Sequence, residues 1–414
     1  MRIEVICTGD EVLTGKTINT NFSFMTQRLE DVGLEVRWGT TVGDDRETLL
    51  EAFRVATSRA DAVIVNGGLG PTVDDLSQEM AAKAAGVELV LHEEWLTRME
   101  AHFQRRSRVM PANNRKQAML PLTADILDNP IGTACGFTLP IGKARFFFTP
   151  GVPREMRRMI DEQVIPRLLA MSGTSATLYL KRFHSYGIGE SRADTLLTGI
   201  EAMAPDGTVK LGFRAHYPQL ETKLAVRGKD QADIDRKLAP IVAEVRQRLG
   251  NFILAEDDQT LEGVILSALA QRGSSVAVAE TATGGQIAAR LATQPASAGI
   301  FRQGSIAPSA EGLRDLLGAS ATTAEALAKT ARERANASHG LAVLLQIDEG
   351  PDRVDLGGTV FLAIATEGGI VSREAKMRGG RGWVLQGAVE MGLDCLRRHL
   401  FDLPVGEKID FEIA

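Results

Sequence analysis

Through roughly the first 170 residues, short apolar runs alternate with amphipathic stretches, the pattern of strands and helices following one another in an α/β sheet. Ile3 to Cys7 reads as a strand, and Asn21 to Gly33 as a helix that glycine ends. Leu34 to Val42 is a second strand. Arg46 to Arg59 is a helix with apolar Leu49, Leu50, Phe53 and Val55. Ala62 to Val65 is a third strand, and Leu76 to Ala85 the next helix. Arg145 to Phe148 is a strand entering the turn Thr149-Pro150-Gly151-Val152-Pro153, with a helix from Arg154 to Met171 beyond it. The character changes at Met171-Ser172-Gly173-Thr174-Ser175, which reads as a linker. Strands from Ala176 to Ser185, Val209 to Phe213 and Glu221 to Arg227 follow. Helices around Ser191 to Ile200 and Gln231 to Leu249 interleave with them, predicting a small α+β module with an antiparallel sheet. From about Thr260 a long helix, the strand Ser275 to Ala279 and further helix and strand patterns continue to Leu400. The expected architecture is α/β in three domains, 1–172, 173–255 and 256–414, the first a doubly wound sheet.

Composition removes several classes of function. A net charge of -6 argues against broad nucleic-acid binding. Cys7, Cys135 and Cys395 stand far apart without a CxxC pair, so neither a zinc knuckle nor a disulfide framework is indicated. The opening MRIEVICTGDE is a strand carrying charges, unlike a signal peptide, and no apolar run approaches the ~20 residues of a spanning helix. A soluble cytoplasmic protein is expected.

The chemistry concentrates after the strands, where a doubly wound sheet gathers its ligands. Ala62 to Val65 empties into Asn66-Gly67-Gly68-Leu69-Gly70-Pro71-Thr72-Val73-Asp74-Asp75. Glycines there can take positive φ and leave amides open to a phosphate. Asp74 and Asp75 would repel that phosphate unless a divalent cation lies between, or one of them is a base. Asp10 and Glu11 after the first strand, and Asp44 and Asp45 after the second, add two more acidic pairs. The competing reading makes all of these helix caps. Lys116 within Asn113-Asn114-Arg115-Lys116-Gln117, Gly132 and Thr133 in a second glycine-rich loop, and Gly151 and Pro153 before a helix N-terminus supply further anion-binding elements.

In this order GDEVLTG at Gly9, NTN at Asn19, GGLGPTVDD at Gly67, NPIGTACGF at Asn129, TPGVPREM at Thr149 and YGIGES at Tyr186 resemble the CinA family (competence/damage-inducible protein A) over essentially the full length. The resemblance implies a molybdopterin-binding (MoCF-like) first domain and metal-dependent hydrolysis of the ADP-ribose pyrophosphate bond to AMP and ribose 5-phosphate. It places an essential aspartate at Asp75 and another at Asp44 or Asp45; on the reading of the acidic pairs, Asp75 is a metal ligand or base, with Asp10 and Glu11 as further metal ligands. Gly67, Gly68, Gly70, Pro71 and Thr72 would then cradle phosphate, while Asn21 and the Gly132-Thr133 loop hold the ribose and adenine. A homodimer is also implied. Cys135 and Ser77 stand where the family usually has proline and threonine.

The last domain resembles a nicotinamide-nucleotide amidase domain with the signature A-E-S-C-T-G-G and serine as nucleophile. Here the run is Ala279-Glu280-Thr281-Ala282-Thr283-Gly284-Gly285. Thr281 keeps a hydroxyl but adds a methyl. The family's Tyr-Ser-Asn-x-x-Lys stretch is Pro308-Ser309-Ala310-Glu311-Gly312-Leu313, and its I-T-G-I-A-G-P turn is Leu345-Gln346-Ile347-Asp348-Glu349-Gly350-Pro351. These changes lead to the expectation of an active pyrophosphatase with a decayed amidase. The alternatives are a nicotinamide mononucleotide deamidase that uses Thr281, and a non-catalytic nucleotide- or pterin-binding protein.

Overall fold

A computed structural model describes residues 1–173, 177–204, 207–351 and 356–413. The chain divides into two compact units, Met1–Tyr179 and Leu180–Ala414.

The first unit is built on a six-stranded sheet in the order β2-β1-β3-β6-β5-β4, comprising β1 (Ile3–Thr8), β2 (Val36–Val42), β3 (Ala62–Asn66), β4 (Asp125–Leu127), β5 (Gly136–Ile141) and β6 (Ala144–Thr149). Strands β1 and β3 are buried along their whole length, as continuous apolar runs between two helical layers require. The edge strand β2 alternates half-buried with exposed positions. β1 pairs in parallel with β2 and β3, and β3 with β6, whereas β5 runs antiparallel to both its neighbours. Phe53 of α2 (Arg46–Arg59) packs edge-on against Phe146 and Phe148, centroids 5.6 and 5.7 Å away, fixing that helix on the sheet. The charge inside β1 is matched: Glu4, 1% exposed, accepts from Arg59 Nε at 2.8 Å and Nη2 at 2.6 Å. Helix α1 (Thr20–Asp31) opens under an Asn19 cap, and α3 (Ser77–Ala85) follows the glycine turn. The helix expected from Arg154 to Met171 is divided: Pro153–Met159 and Ile165–Ser172 are α-helical, and a wide π turn at Ile160–Val164 absorbs the disruption from Pro166. The linker residues Thr174 and Ser175, and the expected strand start at Ala176, lie outside the described residues.

The second unit holds two sheets. One is ordered β8-β9-β7-β10, from β7 (Thr177–Tyr186), β8 (Val209–His216), β9 (Gln219–Gly228) and β10 (Ile253–Glu256), covered by α4 (Gln231–Leu249). The other is ordered β12-β11-β13-β14-β15, from β11 (Val276–Thr281), β12 (Phe301–Ala307), β13 (His339–Ile347), β14 (Gly358–Thr366) and β15 (Gly369–Met377). Central β11 is parallel to β12 and β13, so its C-terminal end is a crevice at a strand–turn–helix junction. Around it pack α5 (Leu261–Gln271), α6 (Gln286–Ala292), α7 (Ala310–Leu317), α8 (Ala324–Arg334) and α9 (Arg381–Leu400). Among the described residues, no helix is long and apolar enough to cross a membrane.

Candidate functional site

In the first unit the strand ends enclose a cavity of about 470 Å³ lined by Glu11, Asp44, Gly67, Gly68, Gly70, Pro71, Asp74, Asp75, Thr133 and Gly151. Gly67 (φ +110°) lies so close to Thr8 that a Cβ would stand 2.6 Å from its hydroxyl oxygen, and Gly68 is left-handed at φ +67°. The turn therefore requires both glycines. Burial lifts the Asp44 carboxyl above its ordinary range, and the charges of Asp10, Glu11 and Asp74 push the same way.

Other predicted residues are used to hold the loops. Asp45 caps α2, accepting from the Glu47 and Thr48 amides at 3.0 and 2.9 Å, so of the pair Asp44 and Asp45 only Asp44 lines the cavity. Asp10 and Asp44 exchange backbone-to-carboxylate bonds of 3.2 Å. Asp75 accepts from the Thr72 amide at 2.8 Å and from the Thr72 hydroxyl, and Lys116 bonds the Thr72 carbonyl. Asn21 clasps Asn66 Oδ1 and the Gly151 carbonyl at 2.9 and 2.7 Å. The Gly132 amide is held by Asn129 Oδ1 at 3.1 Å, and Pro153 opens its helix. Among the described residues, no three His, Cys, Asp or Glu side chains gather closely enough to hold a metal ion.

The second unit presents a larger cavity, about 720 Å³, at the C-terminal end of β11. Thr281, the last residue of β11 and 2% exposed, lines it beside Ser309, Glu311, Thr323, Glu325 and Glu374. The Leu345 amide donates to Thr281 Oγ1 at 3.2 Å, fixing the hydroxyl's direction. The chain then turns through Ala282 (φ 59°), Gly284 (φ 68°) and Gly285 (φ 81°) into α6. A non-glycine residue held left-handed stores strain, and the anchor that holds it is visible. Buried Glu280 accepts the Thr283 hydroxyl at 2.5 Å and the Ile287 and Ala288 amides at 3.2 and 2.9 Å, tying the turn to the N-terminus of α6. Thr283, Gly284 and Gly285 therefore shape the turn, and Thr281 carries the hydroxyl that reaches the cavity. The sequence missed Glu325 and Glu374, which join the site from α8 and β15.

A doubly wound unit with a glycine-rich strand-end turn, followed by a small α+β module and a second α/β sheet with a hydroxyl-bearing cavity, defines a multidomain α/β protein. The chain matches the probable molybdopterin binding domain over residues 4–170, the damage-inducible protein CinA KH domain over 181–255 and the CinA C-terminal domain over 258–400. A CinA-like protein of Shewanella sediminis is 40% identical, covering 97% of this chain and 96% of that protein. A Shewanella oneidensis protein named nicotinamide-nucleotide amidohydrolase PncC is 36% identical with the same coverage. The solved CinA protein of Thermoplasma acidophilum aligns at 36% identity over 40% of this chain and 96% of that one, TM-score 0.37. This chain belongs to the CinA family.

Two expectations are corrected by these findings. The activity named for a full-length relative is an amidohydrolase, which overturns the reading of this chain as an ADP-ribose pyrophosphatase. It equally overturns the expectation that deamidation is lost. In the first unit Asp45 is engaged in a helix cap and Asp75 in a loop bond, while the altered turn of the second still brings a hydroxyl to a cavity.

Proposed function

We propose that this chain is an amidohydrolase that releases ammonia from the carboxamide of a nicotinamide nucleotide or a closely related nicotinamide N-glycoside. The observation that carries the reading is the place of Thr281: it ends a buried central strand, its oxygen is fixed by the Leu345 amide, and it lines a cavity of ligand size. The name of the Shewanella oneidensis relative supports the same chemistry.

Thr281 Oγ forms a bond to the carboxamide carbon as its proton passes to the carboxamide nitrogen. The carbon–nitrogen bond then breaks, and the nitrogen leaves with a proton as ammonia. Water hydrolyses the resulting threonyl ester, restoring the hydroxyl and freeing a carboxylate. The Leu345 bond holds the oxygen in place, so less ordering remains to be done in the transition state. The positive-φ residues Ala282, Gly284 and Gly285 carry the chain sharply from the nucleophile into α6. The threonine methyl narrows the approach. Incubating the full chain with nicotinamide mononucleotide and with nicotinamide riboside, with ammonia and the deamidated product measured together, tests the proposal. Stoichiometric ammonia and acid product from at least one of them is the expected result; intact substrate in both arms would refute it.

A further inference from the structure

The cavity at Thr281 is acidic where a phosphate-binding cavity is basic. The N-termini of α7 and α8 both border it through Ser309, Glu311, Thr323 and Glu325. Paired helix N-termini ordinarily attract a phosphate, since their first amides are unpaired and the dipoles point positive. Here each end is answered from within the chain. Ser309 accepts the Gly312 amide at 3.2 Å, and Thr323 accepts the Ala326 amide at 3.3 Å. Glu311 and Glu325 place a carboxylate in each first turn. Glu325 is held below the usual carboxylate range by its own backbone amide, with Ser372 and Thr323 adding side-chain bonds, so it carries charge at neutral pH. Glu374 brings a third carboxylate from β15.

Among the described lining residues the cation is Arg373, and its guanidinium is committed elsewhere. It donates to the Val405 and Glu407 carbonyls at 2.8 Å each and pairs with Glu412, with its side chain 4% exposed. Three carboxylates and a sequestered arginine disfavour a phosphate dianion and favour a cation. A nicotinamide ring on ribose is such a cation, because N-glycosylation places a positive charge on the pyridine nitrogen.

Resting on the amidohydrolase reading above, we infer that the preferred substrate of this cavity is a phosphate-free, cationic pyridinium carboxamide of the nicotinamide riboside kind. Hydrolysis converts its neutral amide into a carboxylate, which the same acidic wall repels and so helps to release.

The test compares kcat/KM for ammonia release by the full-length chain on nicotinamide riboside and on nicotinamide mononucleotide, in wild type and in Glu311→Gln and Glu374→Gln, both at exposed positions. The riboside is expected to lead by at least about tenfold, and each variant to narrow that ratio. A mononucleotide rate equal to or above the riboside rate overturns the inference and leaves amide hydrolysis standing, as does a ratio that neither variant moves. Ammonia from neither substrate removes both.

Discussion

At the scale of single residues, a hydroxyl and a cap separate the two cavities. Thr281 ends a strand and Asp45 follows one, yet Asp45 is consumed by the amides of α2 while Thr281 lines its cavity. The sequence displays the acidic pairs clearly. It cannot say which member of Asp44-Asp45 turns inward, because adjacent residues share composition and differ only in direction. It likewise shows the threonine at 281 but not the acidic lining of its cavity, since Glu311, Glu325 and Glu374 come from three separate elements. If the added methyl crowds the reacting carbon, Thr281→Ser raises kcat by several-fold, about 1 kcal/mol of barrier; steady-state ammonia release reads it. The cysteines make a second residue-scale prediction. Burial pushes the Cys135 thiol up to about 12 and Cys395 up to about 11, and raises Cys7 as well. All three are buried and reduced, so native protein at about pH 8 takes up no thiol reagent, while denatured protein takes up three equivalents. Fast labelling of the native chain would show that one of these pockets opens.

At the scale of elements, the helices that the sequence places best are those with a readable start. Arg46–Arg59 and Gln231–Leu249 match their expected spans, with Asp45 and Asp230 as caps. The strands Leu89–Leu91 and Met119–Pro121 were not legible, because three residues are too few to show an alternation. The turn after Thr281 depends on α6 and α9 being locked together. Arg290 of α6 donates to Glu390 of α9 at 2.6 Å and also pairs with Glu262 of α5, while Gln219 of β9 bonds Glu390 from the other side at 2.5 Å. Burial raises the Glu390 pKa, and Arg290 is the strongest influence holding it down. Removing that cation by Arg290→Met leaves a buried carboxylate without its ion partner, at a cost of about 3 kcal/mol. The sign with pH follows from the raised folded-state pKa. The neutral acid is the form the fold tolerates, so its stability contribution is present below the unfolded pKa and lost as pH rises through the folded one. The variant's deficit should therefore grow between about pH 5 and pH 8 in chemical denaturation. A deficit that shrinks as pH rises would contradict this account of the pair.

At the scale of the whole molecule, the chain carries two strand-end cavities in two compact units, and only the second holds the hydroxyl to which amide hydrolysis is assigned. Asp75→Asn is accordingly expected to leave ammonia release within about twofold of wild type, the size of a remote surface change; a loss beyond tenfold would tie the glycine-turn cavity to the reaction. The measurement that bears most directly on the central claim is kcat for ammonia release by Thr281→Ala beside wild type, with circular dichroism confirming an unchanged fold. The expected result is a fall of about a thousandfold or more, as removal of a nucleophile produces. Turnover by Thr281→Ala within about twofold of wild type would contradict the assignment of the hydroxyl and of its cavity.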